Sequence, residues 1–222
     1  MLRAFIVALS LVLLFQGTAQ GEDRADSLLE SIQKKHQDLP GLSVTYCREV
    51  ITRSMTMLGN RIKGDPATGR IYFKPPHFLR LQQETPEQET IITNGEMIWW
   101  YIPDKKRAYK YPSRKFGKEL KLLSDIFGGL TNVEENFQVV TAGKNELGES
   151  QIELFPDPPW QEVERMVITV NGSFDIRGVD IHNHIGSITR FRLGDPVVRK
   201  DFREGFFRFS LPEGVLLVEE EG

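Results

Sequence analysis

The stretch from Gly69 to Tyr111 constrains the fold of this chain more than any other part of the sequence. Its short apolar and aromatic runs are separated by the turn-forming pairs Pro-Pro, Thr-Pro, Asn-Gly and Pro-Asp. The runs are Ile71–Phe73, Phe78–Leu81, Thr90–Thr93 and Met97–Tyr101. This pattern predicts a meander of antiparallel strands. The strands are apolar on both faces and contain no set of nucleophile, base and metal ligand. Such a sheet suits the covering of an apolar ligand better than catalysis.

Helices are predicted on either side of this meander. An apolar stripe with helical spacing predicts a first helix over Asp23–Leu39, before a strand over Leu42–Ile51. A second helix is predicted from Ser113 to Gly128, and a capping box predicts a short third helix over Thr131–Phe137. Further extended segments are predicted at Met55–Leu58, Gln138–Thr141, Ser150–Phe155, Glu164–Val170, Phe174–His182, Ser187–Leu193 and Phe206–Leu211. This order predicts a mainly β fold, a curved and largely antiparallel sheet whose concave face is closed by about three helices.

The N-terminus has the pattern of a secretory signal peptide. Arg3 gives a short positive region, the run Ala4–Phe15 is uncharged and apolar, and Gly17-Thr18-Ala19 supplies small residues for cleavage. The run is too short to span a bilayer of ~30 Å as a helix, and a retained anchor is the alternative. No cysteine follows the run directly, so no lipid attachment is predicted there. We predict a cleaved signal peptide over residues 1–19 and a single soluble domain over residues 20–222.

Charge and cysteine content argue against nucleic-acid binding and exclude an intrachain disulfide. The net charge is −3 at pH 7, or −4 without Arg3, and no long basic run remains, so nucleic-acid binding is not predicted. The single cysteine, Cys47, excludes an intrachain disulfide. It lies in an alternating stretch typical of a strand. Burial is the simpler interpretation, and pairing with another molecule is the alternative.

No residue pattern predicts catalysis. Asp180, His182 and His184 share one face if the segment is extended, which makes them a candidate metal site. The same residues also suit a hairpin turn, and no third histidine lies nearby in the sequence. Common catalytic motifs are absent, including G-x-S-x-G, H-E-x-x-H and the P-loop. We therefore predict no metal site, no catalytic residue and no enzymatic activity.

A basic cluster, Lys105-Lys106-Arg107 with Lys110, follows the strand that contains Trp99 and Tyr101. Two interpretations stay open for it. The cluster is either the solvated face of a hairpin or a docking surface for a membrane or an acidic partner.

Three patches together resemble the periplasmic outer-membrane lipoprotein carrier family, LolA. They are GRIYFKPPHFLRL, IITNGEMIWWYIPDKKRAYKY and FFRFSLPEGV, and with the export signal and helices they span nearly all of the mature chain. The resemblance implies an incomplete β-barrel with a helical lid over an apolar cavity for the acyl chains of a lipoprotein. It also implies a periplasmic carrier, expected to be monomeric and to need no cofactor. Such a carrier takes cargo from an ATP-driven exporter in the inner membrane and delivers it to an outer-membrane receptor.

The alternation of side chains assigns residues to the expected cavity and lid. The cavity side is predicted to include Tyr46, Phe73, Leu79, Leu81, Trp99 and Tyr101. The inner face of the lid is predicted to include Leu120, Leu123 and Phe127. An ordinary packed core is the alternative for all of these residues.

One position departs from the family pattern. The family has an arginine that fastens the lid, and this chain has Pro75 there, which offers neither a side-chain donor nor an N–H. Lys74 and Arg80 are the candidate replacements, either as a lid latch or as a partner contact.

Three other functions stay open at this point. The first is a lipid- or lipoprotein-sensing interaction module on the same fold. The second is a hydrolase or metal enzyme that uses His182 and His184. The third is the outer-membrane receptor of the same pathway, although Cys47 lies too far from the signal to be its lipidated residue.

Overall fold

A computed structural model of the protein describes residues 19–57, 66–113 and 118–219, with backbone alone for residues 19–26, 56–57 and 118–120. The predicted signal peptide therefore lies outside the described residues except for Ala19. The described residues form three α-helices, α1 (Ala19–His36), α2 (Arg53–Met57) and α3 (Lys118–Phe127), and a 3₁₀ turn at Val133–Glu135. None of these helices has the length and apolar composition needed to cross a membrane.

The described strands form one sheet of thirteen members. They are β1 (Leu42–Ile51), β2 (Ala67–Lys74), β3 (Phe78–Thr85), β4 (Glu89–Thr93), β5 (Met97–Ile102), β6 (Arg107–Pro112), β7 (Phe137–Lys144), β8 (Ser150–Pro156), β9 (Arg165–Val170), β10 (Ile176–His182), β11 (Ile188–Leu193), β12 (Val197–Val198) and β13 (Leu216–Glu219). Their order is β13-β6-β5-β4-β3-β2-β1-β11-β10-β9-β8-β7, and β12 pairs with β1.

This order joins two meanders through β1, which pairs with β2 on one side and β11 on the other. All pairings are antiparallel except that of β13 with β6, which is parallel. The sheet is curved and open, with β7 and β13 at its ends. The predicted fold class, an incomplete antiparallel barrel closed by helices, is confirmed.

The concave face of the sheet and the inner faces of α1 and α3 form one hydrophobic core. Leu29 and Ile32 of α1 are buried in it, as are Leu122, Leu123, Ile126 and Phe127 of α3. The helical spacing of these residues aligns them on the side that faces the sheet. The helices thus stabilise the fold by covering apolar strand residues that would otherwise meet water.

The structure corrects several predicted elements. Met55 lies in the short helix α2 and not in an extended segment, while Leu58 falls outside the described residues. The predicted third helix is only the 3₁₀ turn, because Thr131 donates to the Gly128 carbonyl and forms no capping box. The predicted strand over Phe206–Leu211 is a turn and an irregular segment.

That segment belongs to a C-terminal strap, residues 199–209, which lies on the convex face of the sheet. Its Phe206 ring packs edge-on against Tyr72 of β2, with centroids 4.9 Å apart. Phe207 packs against Phe78 of β3 at 5.7 Å. Contacts between side-chain rings, and not backbone pairing with a neighbouring strand, hold the strap in place. The alternation of its sequence therefore does not produce a strand.

Candidate functional site

A cavity of about 290 Å³ opens on the concave side, between α3 and strands β1, β3, β4, β10 and β11. Most of its wall is apolar. The apolar lining consists of Leu81, Ile91, Leu123, Val163, Ile181 and Phe191. The polar lining consists of Arg48, Glu162, Asn183 and Thr189. This volume is near the lower end of ligand sites, which span ~300–1,000 Å³.

Four of the predicted cavity residues lie on the concave face. Leu81 lines the cavity directly. Tyr46, Phe73 and Leu79 are at most 4% exposed and belong to the packed core beside it. The Tyr46 ring meets that of Phe191, a lining residue, at a centroid distance of 5.9 Å.

Trp99 and Tyr101 lie on the opposite face, so their assignment to the cavity side was wrong. Leu79 on the concave face pairs with Thr93, and Thr93 pairs with Ile98. Ile98 therefore shares the concave face, and its neighbour Trp99 points away because successive strand residues alternate. Tyr101 instead packs on the convex side against Phe209 of the strap, at 5.7 Å.

The predicted lid is helix α3. Leu123 and Phe127 are buried against the sheet, and the Phe127 ring lies 6.4 Å from that of Phe73. The side chain of Leu120 lies outside the described residues. Leu122 and Ile126, which widen the apolar stripe, are as fully buried as the predicted lid residues.

Arg80 does not latch the lid. It lies on the convex face, where its Nη1 donates to the Phe206 carbonyl at 2.8 Å and its guanidinium stacks 5.0 Å above the Phe206 ring. Lys74 is exposed at the end of β2. Arg80 therefore fastens the strap, and its candidate role as a lid latch was wrong, while a partner contact stays a prediction.

The end of the lid packs instead against the end of α1. Gly129 follows α3 with a φ of +83°, and its Cα is so close to His36 that an added Cβ would lie 2.6 Å from the His36 Cβ. Gln33 Nε2 also donates to the Leu130 carbonyl at 3.4 Å. His36 is buried and donates from Nδ1 to the Ile32 carbonyl at 2.8 Å.

Because His36 is buried at this contact, the fold is expected to become less stable in acid. Burial lowers the pKa of His36 from its ordinary value of 6.5. Below pH 6.5 the unfolded chain therefore takes up a proton that the folded chain resists, so the free energy of unfolding falls as the pH drops. One such group gives a slope of at most about 1.4 kcal/mol per pH unit.

Urea unfolding of wild type and His36→Gln at pH 7.5 and 5.5 measures the effect. Burial also lowers the pKa of His182, so His182→Gln tests a second histidine in the same way. Each substitution should remove part of the acid destabilisation. An unchanged pH dependence in His36→Gln would show that this histidine does not contribute.

Polar atoms without partners lie beside the cavity. Arg48 donates from Nη2 to Gln83 Oε1 at 3.3 Å, whereas its buried Nε has no hydrogen-bond partner among the described residues. The Tyr46 hydroxyl is also buried, and no residue in the described part of the chain forms a hydrogen bond with it. Burial raises the pKa of Tyr46 to about 12, so the phenol stays protonated at neutral pH. No sequence pattern predicted Arg48 as a cavity residue, because alternation places it on the concave face only once the face of Tyr46 is known.

Other sequence features lie apart from the cavity. His184 Nε2 donates to the Trp160 carbonyl at 3.0 Å, and no group of three potential metal ligands occurs among the described residues. In the basic cluster, Lys105 pairs with Glu87 at 3.3 Å and Lys110 with Glu219 at 3.2 Å. Cys47 is half-buried with a free thiol.

Comparison with known proteins gives consistent matches. The profile of the family described as "Outer membrane lipoprotein carrier protein LolA" matches residues 57–210. An outer-membrane lipoprotein carrier protein of Chromohalobacter salexigens is 24% identical over 216 residues, which cover 96% of this chain and 94% of that protein. One of Nitrosospira multiformis is 24% identical over 155 residues, 69% of this chain and 73% of that protein.

Among solved structures, an uncharacterized conserved protein from Thermus thermophilus has the same fold. Its TM-score is 0.56 at 10% sequence identity, with 89% of this chain and 99% of that chain covered.

Proposed function

Because this chain belongs to the family of the outer membrane lipoprotein carrier protein LolA, we propose that residues 20–222 form a periplasmic carrier for lipoproteins. The carrier binds the acyl chains of its cargo on the concave face of the sheet and moves them from the inner to the outer membrane. The observation that supports this most directly is the apolar cavity between the sheet and the lid helix α3.

Transfer free energies explain the need for such a carrier. Each CH₂ removed from water contributes roughly 0.8 kcal/mol, so an acyl chain of a dozen carbons does not cross an aqueous compartment unaided. In the closed state the cavity of about 290 Å³ accommodates only a short chain segment. Movement of α3 would add the apolar side chains that now lie against the sheet, including Leu122, Ile126 and Phe127. Lid movement thus enlarges the binding surface for cargo.

The carrier is not an enzyme and uses no cofactor, since cargo is bound and released unchanged. Its partners are acylated lipoproteins, an ATP-driven exporter in the inner membrane and a lipoprotein receptor in the outer membrane. It acts as a monomer and binds no nucleic acid. The signal peptide, residues 1–19, directs it to the periplasm of a Gram-negative-type bacterium and is removed there.

The proposal is tested by intact-mass analysis of the protein purified from the periplasm after co-expression with an acylated lipoprotein. We expect a one-to-one complex with the acylated cargo and none with a cargo whose acylated cysteine is replaced. Equal recovery of both cargoes would contradict acyl-chain binding. A stable complex whose cargo never reaches the outer membrane would indicate a sensing module instead.

Two variants on neighbouring strands test which face binds cargo. Ile91→Lys places a charge in the cavity wall, and its desolvation should weaken acyl binding roughly tenfold or more. Trp99→Lys places the same charge on the convex face of β5 and should leave binding unchanged. The measurement is displacement of a fluorescent fatty-acyl ester, whose uncharged head cannot pair with the introduced lysine. Loss of binding in Trp99→Lys alone would overturn the concave assignment.

A further inference from the structure

The wall of the cavity contains a positive charge that lacks an acidic partner. Arg48 lines the cavity, and among the described residues no Asp or Glu oxygen lies within 4.0 Å of its guanidinium. Within the described ranges its side chain forms one hydrogen bond, to neutral Gln83, and its buried Nε has no partner. Two residues earlier on the same face of β1, the buried hydroxyl of Tyr46 likewise finds no partner among the residues that the structure describes.

Among the described residues, the carboxylates in the neighbourhood form no ion pair with Arg48. Glu162 lines the same cavity but is exposed to solvent. Glu89 lies on the concave face of β4, where its Oε2 accepts a hydrogen bond from Trp100 Nε1 at 2.9 Å. Glu84, beyond it on β3, is exposed. Arg48 is thus the cationic donor in a wall that is otherwise mainly apolar.

Burying a charge or a hydrogen-bond donor without a partner costs free energy, and this cost falls when a ligand supplies the acceptor. A guanidinium prefers carboxylate and phosphate oxygens, which accept hydrogen bonds from Nε and a terminal nitrogen together. The apolar side chains around Arg48 offer no such acceptor. A ligand with an apolar chain and an anionic head would satisfy both parts of the wall.

We propose that the cavity binds a single-chain amphiphile with an anionic oxygen headgroup, a carboxylate or a phosphate, which accepts hydrogen bonds from Arg48 and Tyr46. The chain lies against Leu81, Ile91, Leu123 and Phe191. This inference rests on the proposed acyl-binding function and adds a headgroup preference to it. The Tyr46 hydroxyl donates a hydrogen bond to the headgroup and keeps its proton, because burial holds its pKa high.

The preference is measured by titration calorimetry with dodecanoate, dodecyl phosphate and the uncharged 1-dodecanol at pH 7.5. We expect at least one anion to bind about tenfold to a hundredfold more tightly than dodecanol, the usual effect of a hydrogen bond to a charged group. Arg48→Gln should remove this preference and keep the binding of dodecanol. The control is Arg192→Gln, since Arg192 is 57% exposed on β11 and should not affect any of the three.

A second variant keeps the test decisive if Arg48→Gln folds poorly. Arg48→Lys retains the charge but loses the paired hydrogen bonds of the guanidinium, and should keep only part of the preference for anions. Equal binding of anions and dodecanol by the wild type would overturn the headgroup site and leave the acyl cavity standing. Failure of all three ligands to bind would overturn both. A preference that survives in Arg48→Gln would assign the anion to a different group.

Discussion

Replacing Phe127 by alanine is expected to lower the free energy of unfolding by about 3–5 kcal/mol. The ring is 4% exposed and packs from the end of α3 against Phe73 of the sheet. Its removal therefore leaves a cavity that the surrounding strands cannot fill. Because the gap lies under α3, the substitution should speed up deuterium exchange of the amides in Lys118–Phe127 more than in Arg165–Val170 of the core. Urea unfolding and hydrogen exchange measure the two effects.

The matched control for this prediction is Phe174→Ala. Phe174 is 38% exposed in the turn between β9 and β10, so the same truncation should change stability by no more than about 0.5 kcal/mol. A loss below about 1 kcal/mol in Phe127→Ala would mean that the lid contributes little to folding. The lid would then already be open in most molecules.

The second large effect is expected at Gly69, where alanine should cost about 3 kcal/mol. Gly69 lies at an irregularity in the pairing of β2 with β3. An added Cβ there would overlap the backbone carbonyl oxygen of Gln82. A backbone atom in a sheet cannot move aside as a side chain can, so the strands must separate locally or distort. Thermal unfolding, followed by circular dichroism, measures the loss.

Gly194→Ala is the control, because its added Cβ would also meet an oxygen at short range. That oxygen is the side-chain hydroxyl of Thr45, an exposed residue that can rotate away. We expect a cost below about 1 kcal/mol there. Equal costs at both glycines would show that β2 and β3 adjust more readily than their backbone contact indicates.

Local sequence patterns predicted most of the strands of both meanders, because short apolar runs between turn residues need little tertiary information. The turn at Asn94 shows the reason. Its Oδ1 accepts hydrogen bonds from the amides of Glu96 and Met97, which reverses the chain with neighbouring residues alone. The stripe of Leu123 and Phe127 likewise identified the inner face of a helix, since helical spacing leaves one face apolar.

Local patterns were insufficient where distant segments compete for the same surface. Phe206–Leu211 has the alternation of a strand, yet its aromatic rings pack on a sheet face that earlier residues build. The parallel pairing of β13 with β6 involves residues more than a hundred positions apart, and no local signal indicates it. Arg80 was a candidate for a lid latch or a partner contact, and its contact with the strap was not predicted, because the strap is distant in sequence.

The amino-acid sequence alone was enough to predict the strand meanders, an amphipathic helix at α3 and the likeness to lipoprotein carriers. Only the tertiary structure decided which strand face is concave. A strand that is apolar on both sides, such as β5 with Ile98, Trp99 and Tyr101, gives no local sign of its inner face. The register with β4 and β3 supplies that sign, and it excludes Trp99 and Tyr101 from the cavity. The pairing of β1 with β2 and β11 likewise places Arg48 on the concave face, opposite Ala67 and Phe191, because strand faces are assigned by partners and not by the strand itself.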